Sequence, residues 1–183
     1  SSLEFDVYNA GSSVTKIEIM IGDNAWTKKQ TYWNRFNAIY MAVPGENTIS
    51  IPVEGLYRGE VASRNRDIDR NIDTDSIVQF NLWFKEGSGP LYLDNCKLKG
   101  FEEGEVSIGL AGSGSGKKAQ RKTIFDFDEN LRDLASWDTD KGTEPSLELI
   151  PGTENKALKI DQSSIVKTFQ LPADWSDFET FSF

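Results

Sequence analysis

The sequence predicts an all-β protein, an antiparallel β-sandwich. Apolar and polar residues alternate with period two along most of the chain. Clusters of Gly, Pro, Asn and Ser separate these stretches, at the short spacing of a sandwich or barrel. Only one segment, Asn130–Ser136, reads as a short helix.

Leu3, Phe5 and Val7 form one face of a first strand, with Glu4, Asp6 and Tyr8 on the other. After Asn9-Ala10-Gly11, Ile17, Ile19 and Ile21 alternate with Lys16, Glu18 and Met20. A strand follows at Phe36–Val43. Beyond the turn Pro44-Gly45-Glu46-Asn47, Ile49, Ile51 and Val53 alternate with Thr48, Ser50 and Pro52. Val78, Phe80, Leu82 and Phe84 then alternate with Ile77, Gln79, Asn81 and Trp83, and Gly87-Ser88-Gly89-Pro90 leads into Leu91–Leu98. The remaining strands are expected at Lys122–Phe127, Ser146–Ile150, Ala157–Asp161 (after Pro151-Gly152-Thr153), Ile165–Phe169 and Phe178–Phe183.

The chain has 183 residues, with 11 Phe and 5 Trp, enough apolar surface for a sizeable core. It has no His, which excludes Ser-His-Asp and Cys-His catalysis and His metal sites. Its single Cys excludes an internal disulfide and a thiolate zinc cluster. A net charge of −9 leaves no basic excess to displace phosphate counterions, which argues against nucleic acid and anionic membranes as partners. No apolar run approaches the roughly 20 residues of a membrane span. Ser1-Ser2-Leu3 reads as the lip of a strand rather than as a leader.

The run GLAGSGSG at Gly109–Gly116 has the composition of a flexible linker. It divides the chain into 1–110, a linker over 111–116, and 117–183, and neither flanking piece reads as complete. Phe181-Ser182-Phe183 repeats the pattern of Leu3-Glu4-Phe5, so Phe178–Phe183 reads directly into Asp6-Val7-Tyr8-Asn9. Two explanations fit: a circular permutation, or a fragment spanning two tandem repeats. In both, 117–183 is the N-terminal third and 1–110 the remainder of one sandwich. It closes within a monomer or by exchange in a strand-swapped dimer.

Read in that order, the sequence resembles the galactose-binding-like jelly rolls that serve as carbohydrate-binding modules of bacterial agarases and β-galactosidases. The matching residues begin with Ile124-Phe125-Asp126-Phe127-Asp128, Trp137, Asn155-Lys156-Ala157-Leu158-Lys159-Ile160 and Asp174-Trp175-Ser176-Asp177-Phe178. They continue with Phe5-Asp6-Val7-Tyr8-Asn9, Asn34-Arg35-Phe36-Asn37, Pro44-Gly45-Glu46-Asn47-Thr48-Ile49-Ser50-Ile51-Pro52 and Leu91-Tyr92-Leu93-Asp94-Asn95-Cys96-Lys97-Leu98. The resemblance implies a structural calcium ion, with Asp94 and Asp128 as carboxylate ligands and carbonyl oxygens near Lys156 completing the shell. The family's usual Glu is Asp at position 128, one methylene shorter. The alternative is that both aspartates cap turns or accept backbone N–H bonds. The acidic run Arg66–Asp75 lacks the Gly and terminal Glu of an EF-hand and is interleaved with Arg, so it reads as a solvated loop.

Sugars are held by aromatic faces against C–H faces, and by amides, carboxylates and Arg against hydroxyls. Two places offer this mixture. One is the segment Asp23–Arg35, with Trp26, Tyr32, Trp33 and Asn34. The other is the face Gln79, Asn81 and Trp83, opposite the core side of its strand. Arg58 and Arg64 lie on a loop that borders either place. Arg35 is the alternative partner of Asp23 or Asp6, and Trp137 and Trp175 read as framework. Catalysis would need paired carboxylates about 5–10 Å apart across a cleft, and no motif singles out such a pair. Cys96, inside a strand, reads as a buried structural thiol.

The sequence therefore predicts a non-catalytic carbohydrate-binding module, extracellular or on the cell surface of a bacterium. It targets a linked catalytic domain to a polysaccharide or oligosaccharide, and the −9 charge favours a neutral glycan. The competing reading is a spacer sandwich with no ligand, in which Trp26, Trp33 and Trp83 would all be covered.

Overall fold

A computed structural model describes residues 2–59, 71–106, 114–125, 127, 134, 137–161 and 164–168. Along the chain run β1 (Ser2–Asn9), β2 (Thr15–Asp23), the short helix α1 (Asn24–Lys28), β3 (Phe36–Ala42), β4 (Gly45–Pro52), β5 (Ile77–Glu86) and β6 (Leu91–Val106). They are followed by β7 (Gly114–Phe125), β8 (Trp137–Lys141), β9 (Ser146–Leu149), β10 (Lys156–Ile160) and β11 (Ile165–Thr168). The expected helix at Asn130–Ser136 and strand at Phe178–Phe183 lie outside the described residues, Leu134 excepted.

These strands form a β-sandwich of two antiparallel sheets. One has the order β4-β1-β6-β10-β9, with β7 also paired to β6, and the other the order β3-β2-β5-β11-β8. Both sheets draw strands from both sides of the Gly/Ser run, since β10 pairs with β6 and β11 with β5. The chain crosses between the two pieces through the β6–β7 pairing, which reaches Val106 opposite Gly114. Gly114–Gly116, expected as linker, is thus strand, and 109–113 lies outside the described residues.

Period-two alternation explains the core. Leu3, Phe5 and Val7 of β1 and Ile49 and Ile51 of β4 face Ile17, Ile19 and Ile21 of β2 and Phe80, Leu82 and Phe84 of β5. Phe80 sits near the middle, edge-on to Phe5 at 5.9 Å and to Trp137 at 6.2 Å between ring centroids. In β6 the inward series runs Leu91, Leu93, Cys96, Leu98, a step of three that strict alternation forbids. A bulge supplies the extra residue. The β1–β6 register shifts between Glu4 and Asp6, and Asn95 takes φ 52°, a left-handed conformation that Asn tolerates. Beyond the bulge the edge partner of β6 changes from β10 to β7.

Several elements depart from the sequence reading. Asn24–Lys28, expected as part of a loop, is the helix α1, started by the Asp23 side chain. β6 and β7 run longer than expected, to Val106 and from Gly114, because they pair with each other. At the start of β5 it is Ile77, not Val78, that joins the core, next to a register shift between Gly22 and Asp23. β8 was not expected, because WDTDK buries only Trp137 and otherwise turns Asp138, Asp140 and Lys141 toward water on a sheet edge. Val53 belongs to a 3-10 turn, Val53–Gly55, rather than to β4, although its side chain is in the core. Among the described residues no helix is long and apolar enough to cross a membrane.

Candidate functional site

The outer face of the β3-β2-β5-β11-β8 sheet carries a cleft of about 450 Å³. β5 is the central strand, so its outward residues Gln79, Asn81 and Trp83 line the cleft between higher neighbours. Met20 of β2, Trp26 of α1, Arg35, and the pair Asp140 and Lys167 from β8 and β11 complete the walls.

Asp23 builds one wall. Its side chain caps α1, accepting the N–H groups of Ala25 and Trp26 at 3.1 Å each. It also accepts the Asp73 N–H at 2.8 Å and a two-pronged contact from Arg58, with Nη1 at 2.9 Å from Oδ1 and Nη2 on Oδ2. Burial by itself would raise the Asp23 pKa. The Arg58 hydrogen bond, the Asp73 and Trp26 N–H groups and the Arg58 charge together outweigh it and hold the carboxyl below its ordinary range. The helix is held close to the sheet because Gly22 has no side chain: a Cβ there would lie 3.0 Å from the Trp26 ring.

This arrangement corrects three sequence expectations. Arg58 borders no binding surface; it is 8 % exposed and ion-paired with fully buried Asp23. Arg35 is therefore the partner of neither Asp23 nor Asp6, whose oxygens accept from Thr48 Oγ1 at 2.8 Å and Asn95 Nδ2 at 3.1 Å. The Asn34 amide is spent on the carbonyls of Ala25 (2.8 Å) and Lys29 (3.2 Å), where it ties α1 to the next turn. In sequence, two arginines compete for one aspartate, and only the fold shows which reaches it.

Tyr32 and Trp33 sit on the 3-10 turn Tyr32–Asn34, edge-on at 5.2 Å, and Trp33 is 53 % exposed. Trp26, by contrast, is buried. Trp83 is half-buried, and Gln79 and Asn81 face away from the core as expected but are only 4 % exposed, hydrogen-bonded to each other at 2.6 Å. A central strand is the floor of the cleft, so its short amides are shaded while the larger Trp83 ring still reaches open space. Lys167 is ion-paired with Asp140 and lies 3.8 Å from Asp138. Arg64 lies outside the described residues.

No protein-family model, curated protein or solved structure matches the chain. The cleft is therefore read from its own geometry. Two buried polar atoms beneath it, Gln79 Oε1 and Trp26 Nε1, lack a hydrogen-bond partner, as does Arg35 Nε. Arg35 closes the candidate segment Asp23–Arg35 but was read as an ion-pair partner rather than as a lining residue, and Met20, Asp140 and Lys167 were not expected in the cleft at all. The Asn34-Arg35-Phe36 stretch held the signal, since a charged residue ahead of a strand can stack on aromatics just before it.

The expected calcium ligands are only partly in view. Asp94 is buried at the β6 bulge, where its Oδ2 accepts from Asn155 at 2.8 Å and Asn95 at 3.3 Å. Lys156 opens β10 beside Asn155, and Asp128 lies outside the described residues. Among the described residues no three carboxylate or thiol side chains gather in a way that would hold a metal. Cys96 is buried in the core, and burial pushes its thiol pKa up to about 12, against a small lowering by Lys97, so it is no nucleophile.

Proposed function

We propose that the protein is a non-catalytic glycan-binding module whose site is the cleft over β5. One observation carries this reading: a half-buried Trp83 in a cleft otherwise lined largely by polar side chains, with the exposed Tyr32–Trp33 pair near it. An indole face packs against the C–H face of a pyranose, and the flanking polar groups take its hydroxyls. A spacer module would cover these aromatics, and the exposure of Trp33 favours binding. The sharing of both sheets between the two pieces supports one sandwich built from both; the likeness to galactose-binding-like jelly rolls rests on the sequence. In that family's manner the module would hold a linked catalytic domain of a secreted bacterial enzyme on its polymer, acting through effective concentration.

Affinity electrophoresis against a panel of neutral and acidic polysaccharides tests the reading. At least one should retard the protein, and Trp83→Ala should weaken that retardation about tenfold, the loss expected for a central aromatic contact. A panel in which nothing retards the protein overturns it.

The same resemblance carries a structural Ca²⁺, for which Asp94 is the described carboxylate. If the ion is bound, EDTA should lower the melting temperature and added Ca²⁺ should restore it, because a ligand of the folded state adds stability. A melting curve indifferent to both overturns the calcium proposal.

A further inference from the structure

We propose that Arg35 sets the specificity of the cleft, and that the glycan it selects carries an oxyanion, a uronate carboxylate or a sulfate ester. This inference rests on the glycan-binding reading of the same cleft.

The Arg35 guanidinium lies over two rings, 5.6 Å from the centroid of Tyr32 and 5.2 Å from that of Trp83. These ring contacts engage its charge but accept none of its N–H groups by a conventional hydrogen bond. Nε is buried without a hydrogen-bond partner, and among the described residues the side chain makes no hydrogen bond or ion pair at all. The candidate carboxylates are engaged elsewhere. Asp23 belongs to Arg58, Asp6 to Thr48 and Asn95, and Asp140 to Lys167. Glu18, opposite Trp83 in the β2–β5 register, reaches Arg35 by charge alone.

A half-buried cation without a hydrogen-bonded counter-ion is costly, and stacking on aromatics recovers only part of that cost. Burial lowers the Arg35 pKa from its ordinary value, partly opposed by Tyr32 and Glu18, as expected of a charge short of a counter-ion. A guanidinium beside two rings whose terminal nitrogens make no hydrogen bond among the described residues is suited to a flat or trigonal array of oxygens, which accepts two parallel N–H bonds from Nη1 and Nη2. An oxyanion supplies that array and neutralises the charge. The −9 of the whole chain does not oppose this at short range, because charges beyond a Debye length of about 8 Å are screened at physiological salt. Within the cleft, Lys167 is paired with Asp140, and Arg35 has the charge of Glu18 nearby but no hydrogen-bonded counter-ion among the described residues.

The test compares two matched pairs of ligands by calorimetry: an oligogalacturonate with its methyl ester, and a sulfated galactose oligosaccharide with its unsulfated form. The wild type should bind at least one charged form roughly ten- to a hundredfold more tightly than the matching neutral form, the range of a charge-assisted hydrogen bond. Which charged form wins identifies the anion. Raising the salt concentration should erode the preference. Arg35→Gln should abolish it, and Arg35→Lys, which keeps the charge but loses the fork, should lose most of it. Melting curves of both variants show that each is folded. Equal affinity for charged and neutral forms, unchanged in Arg35→Gln, overturns the role of Arg35 and leaves the glycan reading standing. Binding of no glycan by the wild type overturns that reading itself.

Discussion

Replacing Asp23 by alanine should destabilise the protein by about 3–5 kcal/mol, the cost of breaking a buried ion pair on one side. The carboxylate is fully buried and answers four groups at once: the Arg58 guanidinium and the N–H groups of Ala25, Trp26 and Asp73. Its removal leaves a guanidinium without a counter-ion and α1 without its cap. Urea denaturation monitored by Trp fluorescence measures the loss. A change under 1 kcal/mol would mean that water replaces the carboxylate and that the network does not hold this corner together. Asp23→Leu combined with Arg58→Met should recover much of the stability, because an apolar pair of similar volume avoids the desolvation of both charges.

The pH dependence follows from the direction of the shift. The folded pKa of Asp23 lies below its ordinary 3.8, so the folded state binds this proton less readily than the unfolded chain. The stabilisation is therefore complete above pH 3.8 and is lost as the pH falls from there through the folded pKa. Wild type should lose stability more steeply in that acidic window than Asp23→Leu/Arg58→Met, and the two should run parallel near neutrality.

Phe80→Ala is expected to cost a similar amount, about 3–5 kcal/mol, for a different reason. The ring is almost wholly buried on the central strand of its sheet, between Phe5 of the opposite sheet and Trp137 of the β8 edge. Both sheets are rigid ladders and cannot close over the void, so the loss combines the transfer of the ring with a residual cavity. For a chain of this size that is roughly 6–20 °C in melting temperature. Phe80→Leu should cost much less, since it keeps most of the volume. Equal losses for the two variants would refute the cavity account and point to loss of the aromatic contacts themselves.

Most strands were legible because a half-buried strand writes its burial into alternate positions, as in Ile17, Ile19, Ile21 and in Phe80, Leu82, Phe84. Where alternation fails, the reason is local. The β6 bulge moves the inward face from Leu93 to Cys96, and nothing in Asp94-Asn95 announces it except an Asn that tolerates φ 52°. β8 was missed because an edge strand needs only one buried side chain. The aromatic residues of the candidate site were visible, but their exposure was not. Trp26 and Trp33 stand seven positions apart, yet one packs on Gly22 and the other faces water.

The order of apolar residues was enough to determine a mostly β chain and the inner face of most strands. These are consequences of local periodicity, which each segment carries alone. The tertiary structure decided the strand order, the placing of β5 at the floor of a cleft, and the choice between two arginines. Asp23 took Arg58 and left Arg35 over the rings of Tyr32 and Trp83. Such pairings depend on which side chains the sheets bring within about 3 Å of each other, and no spacing along the chain encodes that distance.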